Sequence, residues 1–153
     1  MLKIFISSHG KFAEGIKSSL QILLGGCENI TVFSAYVDES SVQEKLDEFY
    51  ANVCEEDQIV LLSDLYGGSV NSVMYTYLNR ENTYLIAGIN LALVLELATR
   101  ETVTKQELEE LVASSREMMM LLELEEGDSG VEDTSAGEEE DFFFFFNKRK
   151  LAN

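Results

Sequence analysis

The sequence alternates short apolar runs with longer stretches in which apolar residues recur every three or four positions. Short runs of this kind are typical of buried strands, and the longer periodicity is typical of amphipathic helices. Four runs predict strands at residues 2–7, 30–36, 58–62 and 83–87. Their alternation with helices predicts an α/β fold: a doubly wound, mainly parallel sheet in the order 2-1-3-4, flanked by helices on both faces.

The stretches between these runs predict the helices. Ser41–Glu44 and Thr104–Glu107 have the pattern of capping boxes, in which the side chains of the first and fourth residues bond each other's backbone N–H groups. One helix is predicted to begin near Ser69, and a short apolar helix is predicted at residues 91–99. The first helix should end at Gly25-Gly26. The positions predicted to face inward are Phe12, Ile16, Leu20, Leu23, Leu24, Val42, Leu46, Phe49, Val53, Val70, Val73, Met74, Tyr77, Leu108, Leu111 and Val112.

The apolar run at residues 118–124 fits two interpretations. It could continue the last helix or form a fifth strand, possibly antiparallel to the others, and we favour the strand because the helical spacing fades there. Met118, Met119 and Met120 are predicted to pack in the core or in a dimer interface.

The composition changes at Glu125. Residues 125–141 consist of acidic residues, Gly, Ser and Thr apart from Val131 and Ala136, without a single base, and Phe142–Phe146 and Lys148–Lys150 follow. We therefore predict a domain at residues 1–124 and a flexible acidic tail at residues 125–153. The pentaphenylalanine could dock on a partner or on the domain itself, but a poorly ordered, sticky terminus is the favoured interpretation.

Charge and composition exclude several classes of protein. A net charge of −17 argues against nucleic acid as a partner, because phosphate backbones need clustered Lys and Arg. Cys27 and Cys54 match no metal or redox spacing and are predicted to be reduced structural thiols. The first apolar run is too short for a signal peptide or a membrane span, so we expect a cytoplasmic protein.

The single histidine of the chain, His9, follows the first strand. In a 2-1-3-4 sheet the first and third strands are neighbours, and the loops after them line the crevice where ligands bind. We therefore expect His9 to face Asp64, which follows the third strand. A carboxylate that accepts a hydrogen bond from one ring nitrogen leaves the other nitrogen free as a nucleophile.

Gly67, Gly68 and Ser69 open the next helix beside this pair. Their N–H groups and the serine hydroxyl are predicted to form a small anion cradle. Each feature alone has a plainer interpretation: His9 and Asp64 could cap helices or turns, and Gly67-Gly68 could be a tight turn. Their convergence at one edge of the sheet favours transient phosphohistidine chemistry.

Three blocks resemble the IIA component of the mannose-type family of the phosphoenolpyruvate-dependent sugar phosphotransferase system (PTS). They are Ser8–Gly15, Asp64–Asn71 and Gly88–Leu91, and the resemblance covers roughly residues 1–124. It implies that His9 accepts a phosphoryl group on Nε2 while Asp64 holds Nδ1, and that Ser69 and nearby N–H groups hold the phosphoryl oxygens. It further implies phospho-HPr as donor, a separate IIB protein as acceptor with membrane IIC and IID components, and a homodimer that exchanges its last strand. No cofactor or metal is expected.

The chain departs from this pattern in two places. Many relatives have proline at the position of Val70, whereas the amino-sugar branch has valine there, as this chain does. The methionine run replaces the glycine-led last strand of the family, which puts strand exchange in doubt. The rival interpretations are a receiver-like regulator phosphorylated on Asp64, a flavodoxin-type cofactor module, a dihydroxyacetone-kinase phosphohistidine subunit, a regulatory paralogue and a non-catalytic binding module. The receiver lacks its acidic pair after the first strand, and the flavodoxin-type module lacks a Ser/Thr/Gly phosphate loop and a tryptophan.

Overall fold

The computed structural model describes residues 1–123. One unit, Met1–Met120, carries all helices and strands of these residues; a second unit is assigned to Leu121–Asn153. Residues 121–123 have no regular structure, and the Phe142–Phe146 run lies outside the described residues, as do the other predicted features of the tail. The elements are β1 Leu2–His9, α1 Phe12–Leu24, β2 Ile30–Ala35, α2 Val42–Tyr50, β3 Gln58–Ser63, α3 Ser69–Tyr75, β4 Thr83–Ala87, α4 Leu91–Ala98 and α5 Lys105–Arg116.

The four strands form one parallel sheet in the order β2-β1-β3-β4, which confirms the predicted doubly wound arrangement. Ser7 pairs with Ser63 at the carboxyl ends of β1 and β3, and His9 pairs with Ala35 at the end of β2. The last residues of three adjacent strands therefore lie along one edge of the sheet. β1 runs two residues beyond the predicted end, so His9 belongs to the strand itself.

Both faces of the sheet are covered by helices. On one face β1 presents Leu2, Ile4 and Ile6 to a core that includes buried residues of α1, α4 and α5. On the other, Phe5 lies with buried residues of α2 and α3, and its ring packs against Phe49 with centroids 5.2 Å apart. Fully burying one such side chain stabilises the fold by about 1.5–3 kcal/mol, so β1 is anchored from both sides.

The helix termini follow the sequence signals. Both capping boxes form: Ser41 accepts from the Glu44 N–H at the start of α2, and Thr104 accepts from the Glu107 N–H at the start of α5. Gly25 ends α1 in the left-handed conformation, with φ 75°, which an L side chain would strain.

Two predicted inward positions of α1 are exposed. Phe12 and Leu23 have exposed fractions of 47% and 40%, whereas Ala13, Ile16 and Leu20 are buried. At 100° per residue, Ala13, Ile16 and Leu20 define the centre of the buried stripe, and Phe12 and Leu23 fall at its edge.

The prediction of a fifth strand at residues 118–124 is wrong for the residues that the structure describes. α5 ends at Arg116, and residues 117–123 form neither helix nor strand. The core interpretation of the methionines is also wrong, because the exposed fractions of Met118, Met119 and Met120 are 37%, 87% and 53%. A strand needs a hydrogen-bonding neighbour, and no strand of the described sheet pairs with residues 118–123. Dimer packing of this run stays a prediction.

No helix within residues 1–123 is both long and apolar enough to cross a membrane.

Candidate functional site at the carboxyl ends of β1 and β3

His9 and Asp64 meet at the edge of the sheet although 55 positions separate them. Nδ1 of His9 lies 2.9 Å from Oδ2 and 3.2 Å from Oδ1 of Asp64, and the His9 backbone N–H donates to Oδ2 over 2.8 Å. A carboxylate only accepts hydrogen bonds, so Nδ1 carries the ring proton. The lone pair of the imidazole is therefore on Nε2.

Ser69 stands on the other side of the ring. Its Oγ is 3.2 Å from Nε2, so the hydroxyl donates to that lone pair. Ser69 is the first residue of α3, as the sequence predicts, and Gly68 occupies the N-cap position. Asp64, His9 and Ser69 thus form a continuous chain of hydrogen bonds through the imidazole.

Tyr36 extends this chain and was missed by the sequence analysis. Its hydroxyl donates to Ser69 Oγ over 2.7 Å, and its ring stacks on the His9 ring with centroids 5.5 Å apart and planes at 26°. The signal that could have found it is topological: β2 is the other neighbour of β1, so the residue after β2 reaches the same edge. Its φ of 63°, which is uncommon outside glycine and costs of order 1–3 kcal/mol, had no signal in the sequence.

The loop after β3 is braced from within. Gly67 adopts φ 75°, and its N–H donates to Asn71 Oδ1 over 3.2 Å; the same amide donates to Ser63 Oγ over 3.0 Å. The Gly68 N–H donates to the Leu65 carbonyl over 3.3 Å. Both glycine N–H groups therefore serve the loop itself in this structure, and their part in an anion cradle stays a prediction.

Gly68 also lies directly beside the imidazole. A Cβ at this position would be 3.2 Å from Cε1 of His9 and 3.4 Å from the Leu65 carbonyl oxygen. Contacts this short force a neighbour to move, so the lack of a side chain at residue 68 sets how closely the loop can approach the ring.

His9 and Asp64 do not cap the helices that follow them, which was the plainer interpretation of these residues. At the start of α1 it is Ser8, not His9, whose side chain accepts from the Ala13 N–H, over 2.7 Å. Asp64 bonds His9, whereas the N-cap of α3 is Gly68. Their contacts instead join the end of β1 to the loop after β3.

Access to the pair is one-sided. The His9 side chain is 41% exposed and the Asp64 side chain 17%, so the imidazole is more open to an incoming group than the mostly buried carboxylate. The loops after β2 and β3 and the start of α1 also expose large apolar side chains at this edge: Phe12, Tyr36, Val37, Leu65 and Tyr66.

The fold and the site define a class: a doubly wound α/β protein with a histidine–carboxylate pair at the point where the sheet's winding reverses. The family model described as "PTS system fructose IIA component" matches residues 3–115. The chain therefore belongs to the family of fructose- and mannose-type IIA components of the sugar PTS, phosphotransferase components with the role of phosphocarrier.

Individual relatives are also described as IIA components of the PTS. The chain is 27% identical over 112 residues to the PTS system fructose-specific EIIA component of Bacillus subtilis (strain 168), which covers 71% of this chain and 77% of that protein. The mannose/sorbose specific IIA subunit from Enterococcus faecalis has a TM-score of 0.70 at 26% identity, over 81% of this chain and 96% of that one. The PTS component EIIA from Streptococcus agalactiae has a TM-score of 0.63 at 27% identity, over 78% and 96%.

Proposed function

We propose that this protein is a cytoplasmic phosphocarrier that takes a phosphoryl group from phospho-HPr onto Nε2 of His9. It then passes the group to a IIB protein, which serves membrane IIC and IID components in sugar uptake. The observation that carries the proposal is the contact of Asp64 with Nδ1, because it leaves the lone pair on Nε2 of a histidine whose side chain is 41% exposed.

The transfer balances without a cofactor. The Nε2 lone pair attacks phosphorus, the bond from phosphorus to the donor's ring nitrogen breaks, and that electron pair returns to the donor. No proton needs to leave Nδ1 of His9. The imidazole gains positive charge as the N–P bond forms, and the Asp64 carboxylate stabilises that charge through Nδ1–H.

In the proposed reaction the Ser69 hydroxyl changes its hydrogen-bond acceptor. The hydroxyl donates to Nε2 before transfer and turns to a phosphoryl oxygen afterwards. The N–H groups of Gly67 and Gly68 would join it only if the loop released their present acceptors. In-line transfer between two imidazoles depends mainly on such positioning and charge stabilisation.

The surroundings of His9 favour a protein as the donor. Exposed Val37, Leu65 and Tyr66 lie in the loops after β2 and β3, where they would meet a partner docking over the imidazole. We further propose a homodimer, and a division of the chain into a IIA domain at residues 1–124 and a tail at residues 125–153.

The first test is the mass of the intact protein after incubation with phosphoenolpyruvate, enzyme I and HPr, with His9→Ala in parallel. We expect an acid-labile phosphoryl adduct on the wild type and none on the variant. An adduct on both proteins would move the acceptor elsewhere, with Asp64 the next candidate. The absence of an adduct on folded wild type with active HPr would contradict the proposal and favour a binding role.

A second arm addresses the acceptor. Purified phosphoprotein is mixed with a IIB protein of the mannose-type PTS, and loss of the adduct is followed. Rapid transfer supports the transport role. Retention of the adduct would favour the alternative of a regulatory or dihydroxyacetone-kinase-type subunit with the same phosphohistidine chemistry.

A further inference from the structure

We propose that Tyr36 is a positioning residue for phosphoryl transfer, which orients the Ser69 hydroxyl toward Nε2 of His9. This inference rests on the proposed function of His9, which it deepens. The hydrogen bond from Tyr36 to Ser69 Oγ is 2.7 Å long, shorter than the 3.2 Å between Ser69 Oγ and Nε2.

The argument starts from the hydroxyl of Ser69. A hydroxyl has one proton and two lone pairs, and its proton rotates to suit its neighbours. Because Tyr36 donates to Oγ, it occupies one lone pair and turns the Ser69 proton away from itself. The proton then points toward Nε2, the ring nitrogen that Asp64 leaves unprotonated.

The backbone of Tyr36 supports a dedicated role. The residue directly after β2 adopts φ 63°, which is strained for an aromatic residue, and this conformation brings its ring onto His9 and its hydroxyl onto Ser69. Strain persists at a site only when surrounding structure holds it in place. Here the Gly10 N–H donates to the carbonyl of Ala35, the residue before Tyr36, over 3.0 Å and ties the two loops together.

Burial does not account for this arrangement. Tyr36 is 64% exposed, so its ring contributes little to the core. Within residues 1–123, its hydroxyl bonds Ser69 and its ring stacks on His9. The hydrogen-bond chain Tyr36–Ser69–His9–Asp64 therefore joins the last residue of β1, one residue from each of the loops after β2 and β3, and the first residue of α3.

During transfer the hydrogen bond from Tyr36 to Ser69 is kept while Ser69 changes its own acceptor. When Nε2 binds phosphorus it no longer accepts a hydrogen bond. The Ser69 hydroxyl then donates to a phosphoryl oxygen instead. Tyr36 still donates to Ser69 Oγ, so the Ser69 O–H bond rotates while Oγ stays in position. Loss of the phenol hydroxyl should slow transfer by roughly 2- to 10-fold, the effect of one ordinary hydrogen bond.

The test uses the fact that His9 is the only histidine of the chain, so 15N-labelled full-length protein gives one pair of ring nitrogen resonances. The spectra are recorded on unphosphorylated protein at alkaline pH, where imidazole is neutral. Ser69→Ala should move the Nε2 resonance downfield, since it removes the donor. Tyr36→Phe keeps the stacked ring and should give part of the same shift.

A double-mutant cycle then separates orientation from a general disturbance. Tyr36→Phe should slow phosphoryl acceptance in the wild type and have no further effect in the Ser69→Ala background. Tyr75→Phe is the matched control, because Tyr75 is 67% exposed on α3 and its hydroxyl bonds no other residue within 1–123. We expect the control to leave both the resonance and the rate unchanged.

Two results would overturn the inference. One is an Nε2 resonance that stays at its wild-type position in Tyr36→Phe. The other is a rate that is unchanged, or that falls by the same factor with and without Ser69. If wild-type protein accepts no phosphoryl group, the proposed function fails, whereas the nitrogen spectra still decide whether Tyr36 orients Ser69.

Discussion

Asp64 holds His9 at two points with one oxygen. Oδ2 accepts from the backbone N–H over 2.8 Å and from Nδ1–H over 2.9 Å, so the carboxylate fixes both the main chain at the end of β1 and the direction of the ring. An Asn side chain can reproduce one acceptor, but it has no charge to set against the cation that would develop on the imidazole in the proposed transfer.

Asp64→Asn should therefore keep the acceptor and slow its phosphorylation. We expect a decrease of about 10- to 100-fold, the effect of one charge-assisted hydrogen bond, measured by rapid quench with phospho-HPr. Glu55→Gln, at an exposed site before β3, removes the same charge away from His9 and should behave as wild type. Equal rates for Asp64→Asn and wild type would remove Asp64 from the mechanism.

Gly68→Ala should impair transfer with little loss of stability. The added methyl would lie 3.2 Å from Cε1 of His9 and 3.4 Å from the Leu65 carbonyl oxygen, so the ring or the loop must shift. Small displacements of reacting groups can cost up to about 100-fold in rate, and we expect at least a 10-fold decrease. Gly26→Ala, where a Cβ meets nothing within 4 Å, is the control. A wild-type rate for Gly68→Ala would show that the ring position is not set at residue 68.

Asn71→Ala should destabilise the fold as well as slow transfer. The amide bonds the Gly67 N–H and the buried Ser63 hydroxyl, and both partners would lose it. Leaving such groups without partners costs about 1–3 kcal/mol in the free energy of unfolding, measured by urea denaturation. Asn52→Ala, which loses only an exposed bond to the Glu48 carbonyl, should cost less than about 0.5 kcal/mol. Equal costs for the two variants would contradict a bracing role for Asn71.

Asp57 should make the fold sensitive to acid. The Cys54 N–H, the α-amino group of Met1 and the Lys3 ammonium hold the pKa of this carboxyl at about 2, below its ordinary 3.8. Because the folded-state pKa is the lower one, the stabilisation is fully present above about pH 3.8 and is lost as the pH falls through about 2.

Urea denaturation of wild type and Asp57→Asn across this range checks the sign. The variant should be less stable at neutral pH, and the difference in unfolding free energy should shrink as the pH falls through the window. A difference that stays constant down to the lowest pH would show that the ionised carboxylate is not the stabilising form.

The topology and the central pair could be predicted from the sequence, because they depend on periodicity and on strand order. Apolar runs gave the four strands, and the neighbouring positions of β1 and β3 brought His9 to Asp64. Tyr36 could not be predicted in the same way. Its contact with Ser69 depends on a left-handed backbone that no glycine marks.

The run at residues 118–124 shows a different limit. A continuous apolar segment carries no period, so neither helix nor strand is specified by its pattern. Whether it becomes a strand depends on which backbone groups can pair with it. For the described residues 118–123 the structure gives no such pairing, and Leu124 lies outside them.

The segment from Asp64 to Ser69 contains both residues that contact the imidazole of His9 and residues that are exposed to solvent. Asp64 and Ser69 are tied to the imidazole, and a Cβ at Gly68 would lie 3.2 Å from Cε1 of His9. Between them, Leu65 and Tyr66 are exposed by 60% and 85%. We expect substitutions at these two positions to change the surface beside His9 without removing a side chain from the hydrogen-bond chain Asp64–His9–Ser69. If His9 carries the phosphoryl group as proposed, the surface that selects a partner can change during evolution while the residues around His9 stay the same.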